Sequence, residues 1–146
     1  MRIIVDADAC PGRDIIEVIA KENGIEVIMY CDFNHALYSE YSIIRYVDSG
    51  FQSVDMAVTN ECKSGDLVVT QDYGVAAMCL GKKALSINPK GFIYDNESIE
   101  GLLFERHLSQ KTRKGGGKTS NPKKRTRADD ERLARNLKKL ILNKIQ

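Results

Sequence analysis

The run Ile3-Ile4-Val5, closed by Asp6-Ala7-Asp8, constrains this chain more than any other feature. Three β-branched residues in succession are stiff at χ1 and pack well on a pleated surface, so the segment from Arg2 to Val5 reads as a strand. Pro11 then stands where a first helical turn would begin, and Ile15, Ile16 and Ile19 recur at helical spacing until Gly24. The same alternation continues. Glu26 to Tyr30 and Leu67 to Thr70 read as further strands, and Ala84 to Ile87 and Phe92 to Tyr94 as short ones around the Asn88-Pro89-Lys90-Gly91 turn. Between them, Leu37, Tyr41, Ile44 and Val47 are spaced as one face of a helix stopped by Gly50. Val54, Ala57, Val58 and Cys62 form another face behind a Ser53 cap, and Val75, Met78 and Cys79 mark a short helix. A helix from about Asn96 to Ser109 turns Ile99, Leu102 and Leu103 inward.

Strands alternating with helices of this length predict an α/β fold, a three-layer α/β/α sandwich with a mostly parallel sheet. In such sheets ligands bind outside the carboxyl ends of the strands, near the topological switch point. A chain of 146 residues with 42% apolar content makes one ordinary domain with a real core. Its aromatic share of 7% is too small to suggest a stacking platform. No apolar stretch approaches the roughly 20 residues of a membrane span, and the N-terminus lacks the regions of a signal peptide, so a cytoplasmic protein without membrane contact is expected. Cys10, Cys31, Cys62 and Cys79 form no C-x-x-C pair and read as reduced core residues.

The formal net charge of +2 averages unlike parts. Lys111 to Arg127 holds eight basic residues (Lys111, Arg113, Lys114, Lys118, Lys123, Lys124, Arg125 and Arg127) and no acid, leaving 14 basic against 20 acidic residues elsewhere. The expected organisation is an acidic α/β domain over 1–110, a flexible basic, glycine-containing segment over 111–127, and an amphipathic helix over 128–146. Lys and Arg with few aromatics suit phosphate contacts with RNA or DNA, and a solvated linker accounts for the same run equally well. In the last helix Asp129, Asp130 and Glu131 come first and Lys138, Lys139 and Lys144 last, as the helix dipole favours. Its stripe of Leu133, Leu137, Leu140, Ile141 and Ile145 must cover either the domain body or a second subunit, which leaves a homo-oligomer through this helix open.

Asp6 and Asp8 share one face of an extended strand, so two carboxylates enter one crevice at its carboxyl end. A hard cation such as Mg²⁺ or Mn²⁺ relieves their repulsion. Taken alone, the pair is explained at least as well by a cap at Asp8 and a solvated Asp6. Thr70-Gln71-Asp72, however, ends a different strand at the same sheet edge, and Asp55 opens the preceding helix. Asp6, Asp8, Asp55 and Asp72 then form a candidate metal cluster drawn from three chain segments.

The segments IIVDADACPGRDII and GFQSVDMAVTNECKSGDLVVTQDYGVAA, with the glycine-rich basic stretch before a final helix, resemble the bacterial YaiI/YqxD family over nearly the whole chain. Families of this kind are grouped with PIN-like nuclease domains. The resemblance therefore implies a parallel-sheet sandwich whose acids hold a divalent metal for phosphodiester hydrolysis. It makes Asp6 the leading ligand, Asp72 the acid after the Thr70 strand, and Thr70 a water-orienting or supporting hydroxyl, with Asp8 beside them. Glu40 and Asp48 on the 37–50 helix are not matched to the acid that many such nucleases carry there. Two other readings share this evidence. One is a non-catalytic nucleic-acid-binding or regulatory module on the same fold. The other is a phosphatase of the haloacid-dehalogenase type, whose late acidic motif Gly65-Asp66-(x5)-Asp72 faintly resembles, although Asp66 precedes its strand. His35 follows the second strand, where a surface position accounts for it more simply than a phosphate contact or proton carrier.

Overall fold

Residues Ile3, Ile4 and Val5 are completely buried, as the middle of a parallel sheet covered on both faces requires. A computed structural model describes residues 1–8, 10–34, 36–48, 53–114 and 124–145. Among them, β1 (Ile3–Asp6) leads into α1 (Arg13–Glu22), β2 (Val27–Asp32) and β3 (Ile43–Val47). The chain continues through α2 (Val54–Glu61), β4 (Leu67–Val69), α3 (Tyr73–Gly81), β5 (Leu85–Ile87), β6 (Ile93–Tyr94), α4 (Asn96–Lys114) and α5 (Arg127–Ile145). These described strands form one sheet in the order β3-β2-β1-β4-β5-β6. All pairings are parallel except β5 with β6. After β1 the chain moves outward to β2 and β3, then returns to lay β4 on the other side of β1. The switch point therefore lies between β1 and β4, above Asp6 and Thr70.

Side-chain alternation divides the core into two layers. Ile3, Val5, Val27, Met29, Leu67, Val69 and Ile87 face α1 and α5, whereas Ile4, Val68 and Val47 face α2 and α3. α4 packs outside α3 through Ile99, beside Ala76 and Tyr94. The three-layer α/β/α expectation holds, and all four cysteines are free and buried. Ser53 caps α2 by accepting a hydrogen bond from the Met56 amide at 3.1 Å. Ser53→Ala should therefore lower stability by about 1 kcal/mol in urea titrations, and it should loosen the helix end that carries Asp55.

Two expectations need correction, and one open alternative is decided. The segment 37–50 does not form a helix, because Ile43 to Val47 pairs in parallel with β2, from Ile28↔Ile43 to Asp32↔Val47. Ile43, Ile44, Tyr46 and Val47 are all strong strand formers. Leu37, Tyr41 and Ile44 do reach one core layer, which produced the helical spacing, but Val47 enters the opposite layer, as neighbours in a strand allow. Secondly, α4 continues to Lys114 instead of stopping near Ser109. No Gly or Pro intervenes before Gly115, so position 110 marks no structural break.

The alternative decided is that of α5, whose apolar stripe packs on its own domain. Leu133, Leu137 and Ile141 have no exposed surface and pack beside α1, so the stripe covers the domain body, the first of the two alternatives. A reciprocal cap starts this helix. The Thr126 amide donates to Asp129 Oδ2 at 2.9 Å, and the Asp129 amide donates to Thr126 Oγ1 at 3.3 Å. No helix among the described residues is long and apolar enough to cross a membrane.

Candidate functional site

Parallel pairing brings the carboxyl ends of β1 and β4 side by side, and the acids of the sequence analysis gather there. Thr70, fully buried just after β4, donates its hydroxyl to Asp6 Oδ2 at 3.1 Å and accepts the Asp72 amide at 3.0 Å. One hydroxyl thus ties the acid of β1 to the turn carrying the acid that follows β4. Asp72 is held again by the start of α3, accepting from the Gly74 and Val75 amides at 2.7 and 3.2 Å through Oδ1. Asp55, in the first turn of α2, is close enough to Asp72 and Asp6 for the three carboxyls to act on one another. Asp8 Oδ1 accepts the Asp32 amide at 3.0 Å across to the end of β2. Asp8 therefore links adjacent strands; Gly12 is the N-cap of α1 and no side chain caps that helix, so the capping explanation of Asp8 does not apply.

Four acids in one place repel one another. Burial, and next the charge of Asp55, push the Asp6 carboxyl up to about 6; the Thr70 hydrogen bond opposes this, and Asp8 and Asp72 add to it. Asp55 is raised as well, by desolvation first and then by Asp72. The donor set is entirely carboxylate, which suits a hard divalent cation. Among the described residues, however, no three His, Cys, Asp or Glu side chains form a ready-made ion cage.

Two clefts flank the acids. One, of about 690 Å³, is lined by Asp8, Cys10, Gly12, Arg13, Tyr38 and Gln71 among others. The second, of about 420 Å³, lies on the other side of the sheet and is lined by Asp55, Asp72, Thr59, Asn60, Met56 and Met78 among others. Burial pushes the Cys10 thiol up to about 12, so Cys10 presents no thiolate to the first cleft.

Residues 4–143 match the model of a family described as "Uncharacterized BCR, YaiI/YqxD family". The chain belongs to the YaiI/YqxD family. It is 67% identical over 141 residues to a UPF0178 protein of Clostridium novyi, covering 97% of this chain and 95% of that one. It is 64% identical to a UPF0178 protein of Clostridium tetani over 97% of both chains. A UPF0178 protein of Clostridium acetobutylicum is 48% identical, also over 97% of both. No solved structure matches the chain significantly.

In this YaiI/YqxD member the basic residues do not act as one unit. Arg125 turns back onto the body, pairing with Asp130 at 2.7 Å, donating to the Pro89 carbonyl at 2.7 Å and resting against Gly12. Lys124 is exposed, and exposed Arg127 pairs with Glu131 at 3.4 Å. Lys111, Arg113 and Lys114 lie in the last turns of α4, while Lys118 and Lys123 lie outside the described residues, as do positions 115–123, where most of the flexible segment was expected, and His35. Asp66 sits at the opposite end of β4 from the acid cluster. Burial raises its carboxyl, but Arg2, bound at 2.8 Å, and the Lys63 amide outweigh that and hold it low. It is a structural ion pair, which removes the late acidic motif of the phosphatase reading. Glu40 is exposed in the connection before β3, and Asp48 is exposed just after β3.

Sequence reasoning missed three contributors. Arg13 donates to the Ala7 and Cys10 carbonyls at 3.1 and 3.2 Å and fixes the loop after β1. Its place just behind the VDADACPG run was the available signal. Asp32 carries the amide that Asp8 holds. Tyr94, buried on β6, donates its hydroxyl to the Thr70 carbonyl at 3.1 Å and braces the β4 turn; nothing local in the sequence announces that contact.

Proposed function

We propose that this protein is a divalent-metal-dependent phosphodiesterase of RNA or DNA, of the PIN-like nuclease type with which families of this kind are grouped. The observation supporting this reading is the convergence of Asp6, Asp8, Asp55 and Asp72 at the switch point, where the Thr70 hydroxyl ties Asp6 to the Asp72 turn and where burial first, and then the neighbouring acids, push the Asp6 carboxyl up to about 6. Mg²⁺ or Mn²⁺ would be held by these carboxylates, and when bound it supplies Lewis-acid polarisation of a phosphoryl oxygen and a water activated at neutral pH. Thr70 is a positioning residue, since its hydroxyl is taken up between Asp6 and the Asp72 amide. Asp72, fixed to the start of α3, keeps its carboxylate at the β4 edge while Asp55 closes from α2. Exposed Lys124 and Arg127 would meet a polyanion that the acidic body repels.

The open arrangement of the acids favours one second reading, a nucleic-acid-binding module without turnover. Incubation of the purified protein with labelled single-stranded RNA and Mn²⁺ separates the two. Cleavage that chelator abolishes, and that Asp6→Asn/Asp72→Asn lacks, supports the nuclease. Identical behaviour of wild type and the double variant would sink it, and salt-sensitive binding without cleavage would select the module.

A further inference from the structure

An aromatic share of 7% made a stacking surface look unavailable, yet the fold concentrates rings beside the acids. Phe33 directly follows β2, and Tyr46 lies on β3 in register with Cys31. Their rings stack at 5.8 Å between centroids with only 8° between planes. The Tyr46 hydroxyl donates to the Leu37 carbonyl at 3.0 Å, which fixes the ring and ties it to the loop before β3. Phe33 nevertheless keeps 68% of its surface exposed and Tyr46 42%. Next in that loop, Tyr38 is 83% exposed and lines the 690 Å³ cleft together with Asp8, Arg13 and Gln71.

The stack is joined to the candidate site by one short path. Phe33 follows Asp32, and Asp8 holds the Asp32 amide at 3.0 Å. Tyr46 and Ile44 project to the α1 side of β3, the side on which the cleft opens. Two strand spacings, roughly 10 Å, separate β1 from β3, which a single nucleotide spans between its phosphate and its base. From this arrangement we infer that Phe33, backed by Tyr46, is a base-stacking subsite for an unpaired nucleobase of a single-stranded nucleic acid whose backbone runs along the cleft past Tyr38 toward Asp8 and Asp6. This rests on the nuclease reading and adds a specificity to it: a base in a duplex is already stacked and cannot occupy the platform.

Charge and size select this occupant. An apolar peptide or a second copy of the chain would cover the rings but has no use for adjacent carboxylates suited to a cation that bridges to phosphate. The three rings present at most a few hundred Å², well below the about 800 Å² per partner that a stable dimer buries. A planar base matches one exposed ring face, and stacking of this kind tolerates any base.

The test uses the full chain and a fluorescein-labelled single strand of about twelve thymidines in chelator, so that binding is read by anisotropy without cleavage. Phe33→Ala should weaken binding about tenfold, and Phe33→Trp should retain it. A strand of equal length lacking bases should bind wild type and Phe33→Ala alike. If Phe33→Ala binds the thymidine strand as well as wild type does, or if the baseless strand binds wild type as tightly as the thymidine strand, the subsite is refuted. It is refuted equally if sedimentation shows a wild-type dimer that Phe33→Ala dissociates. The nuclease reading fails separately: a protein that binds through Phe33 yet cleaves nothing with Mn²⁺ keeps the subsite and loses the reaction, whereas cleavage indifferent to Phe33 does the reverse.

Discussion

Gly91→Ala is expected to destabilise the protein by about 2–5 kcal/mol, a large fraction of the total stability of a domain this size. Gly91 ends the turn before β6 with φ at 91°, in the region where a side chain costs about 1–2 kcal/mol. A Cβ there would also lie 2.4 Å from the Leu133 amide nitrogen, 2.5 Å from the Arg132 carbonyl carbon and 2.8 Å from its oxygen. These are backbone atoms of α5, so no rotamer change can relieve the clash; overpacking of this sort adds about 1–3 kcal/mol. The helix is fastened to this turn by three further contacts. Arg125 reaches the Pro89 carbonyl at 2.7 Å, Arg132 the Lys90 carbonyl at 3.1 Å, and Asn136 the Gly91 carbonyl at 2.7 Å. Any shift of α5 therefore breaks these bonds and withdraws Leu133, Leu137 and Ile141 from the sheet. Gly24→Ala is the matched control, because φ is 64° there and no atom lies within 4 Å of the added carbon. It should cost about 1 kcal/mol from the backbone alone. Equal urea midpoints for the two variants would mean that α5 does not press on the turn.

The docking of α5 marks the boundary of what could be read from the chain. Its heptad-like stripe announced a buried face, but covering the body and covering a partner satisfy that pattern equally well. The choice was made by Gly91, Pro89 and Arg125, whose contacts are distant in sequence. The segment 37–50 shows a different limit. Leu37, Tyr41 and Ile44 reach one core layer from a loop and a strand, so their spacing imitates a helix although β3 takes its conformation from pairing with β2. By contrast, the central strands and the convergence of Asp6 with Asp72 were legible. Buried β-branched runs and the parallel connection rule leave few alternatives at the middle of a sheet. Bracing by Tyr94 and the Phe33–Tyr46 stack arose from pairing across strands, which no local pattern encodes.

Asp6→Asn is expected to move stability and activity in opposite directions. Because the folded-state carboxyl is raised from 3.8 to about 6, the folded protein favours the protonated acid. The stability it contributes is complete below pH ~4 and lost as pH rises through about 6. Near pH 8 without metal, the ionised group then costs about 2 kcal/mol, after discounting a shift of about two units for its partial solvent contact. Asn keeps the shape and an oxygen for the Thr70 hydroxyl while carrying no charge. Melting of the metal-free variant near pH 8 should therefore rise by about 5 °C above wild type, and the gain should vanish near pH 4. Mn²⁺ should raise the melting temperature of wild type and leave that of Asp6→Asn nearly unchanged. Cleavage should fall about a thousandfold in the variant, the equivalent of several kcal/mol of lost charge stabilisation. A structural role for Asp6 predicts the reverse stability change, since removing a favourable carboxylate would lower melting near pH 8. A variant that melts higher, ignores Mn²⁺ and does not cleave would mean that the chain tolerates a costly charge at the switch point because the charge is what holds the ion.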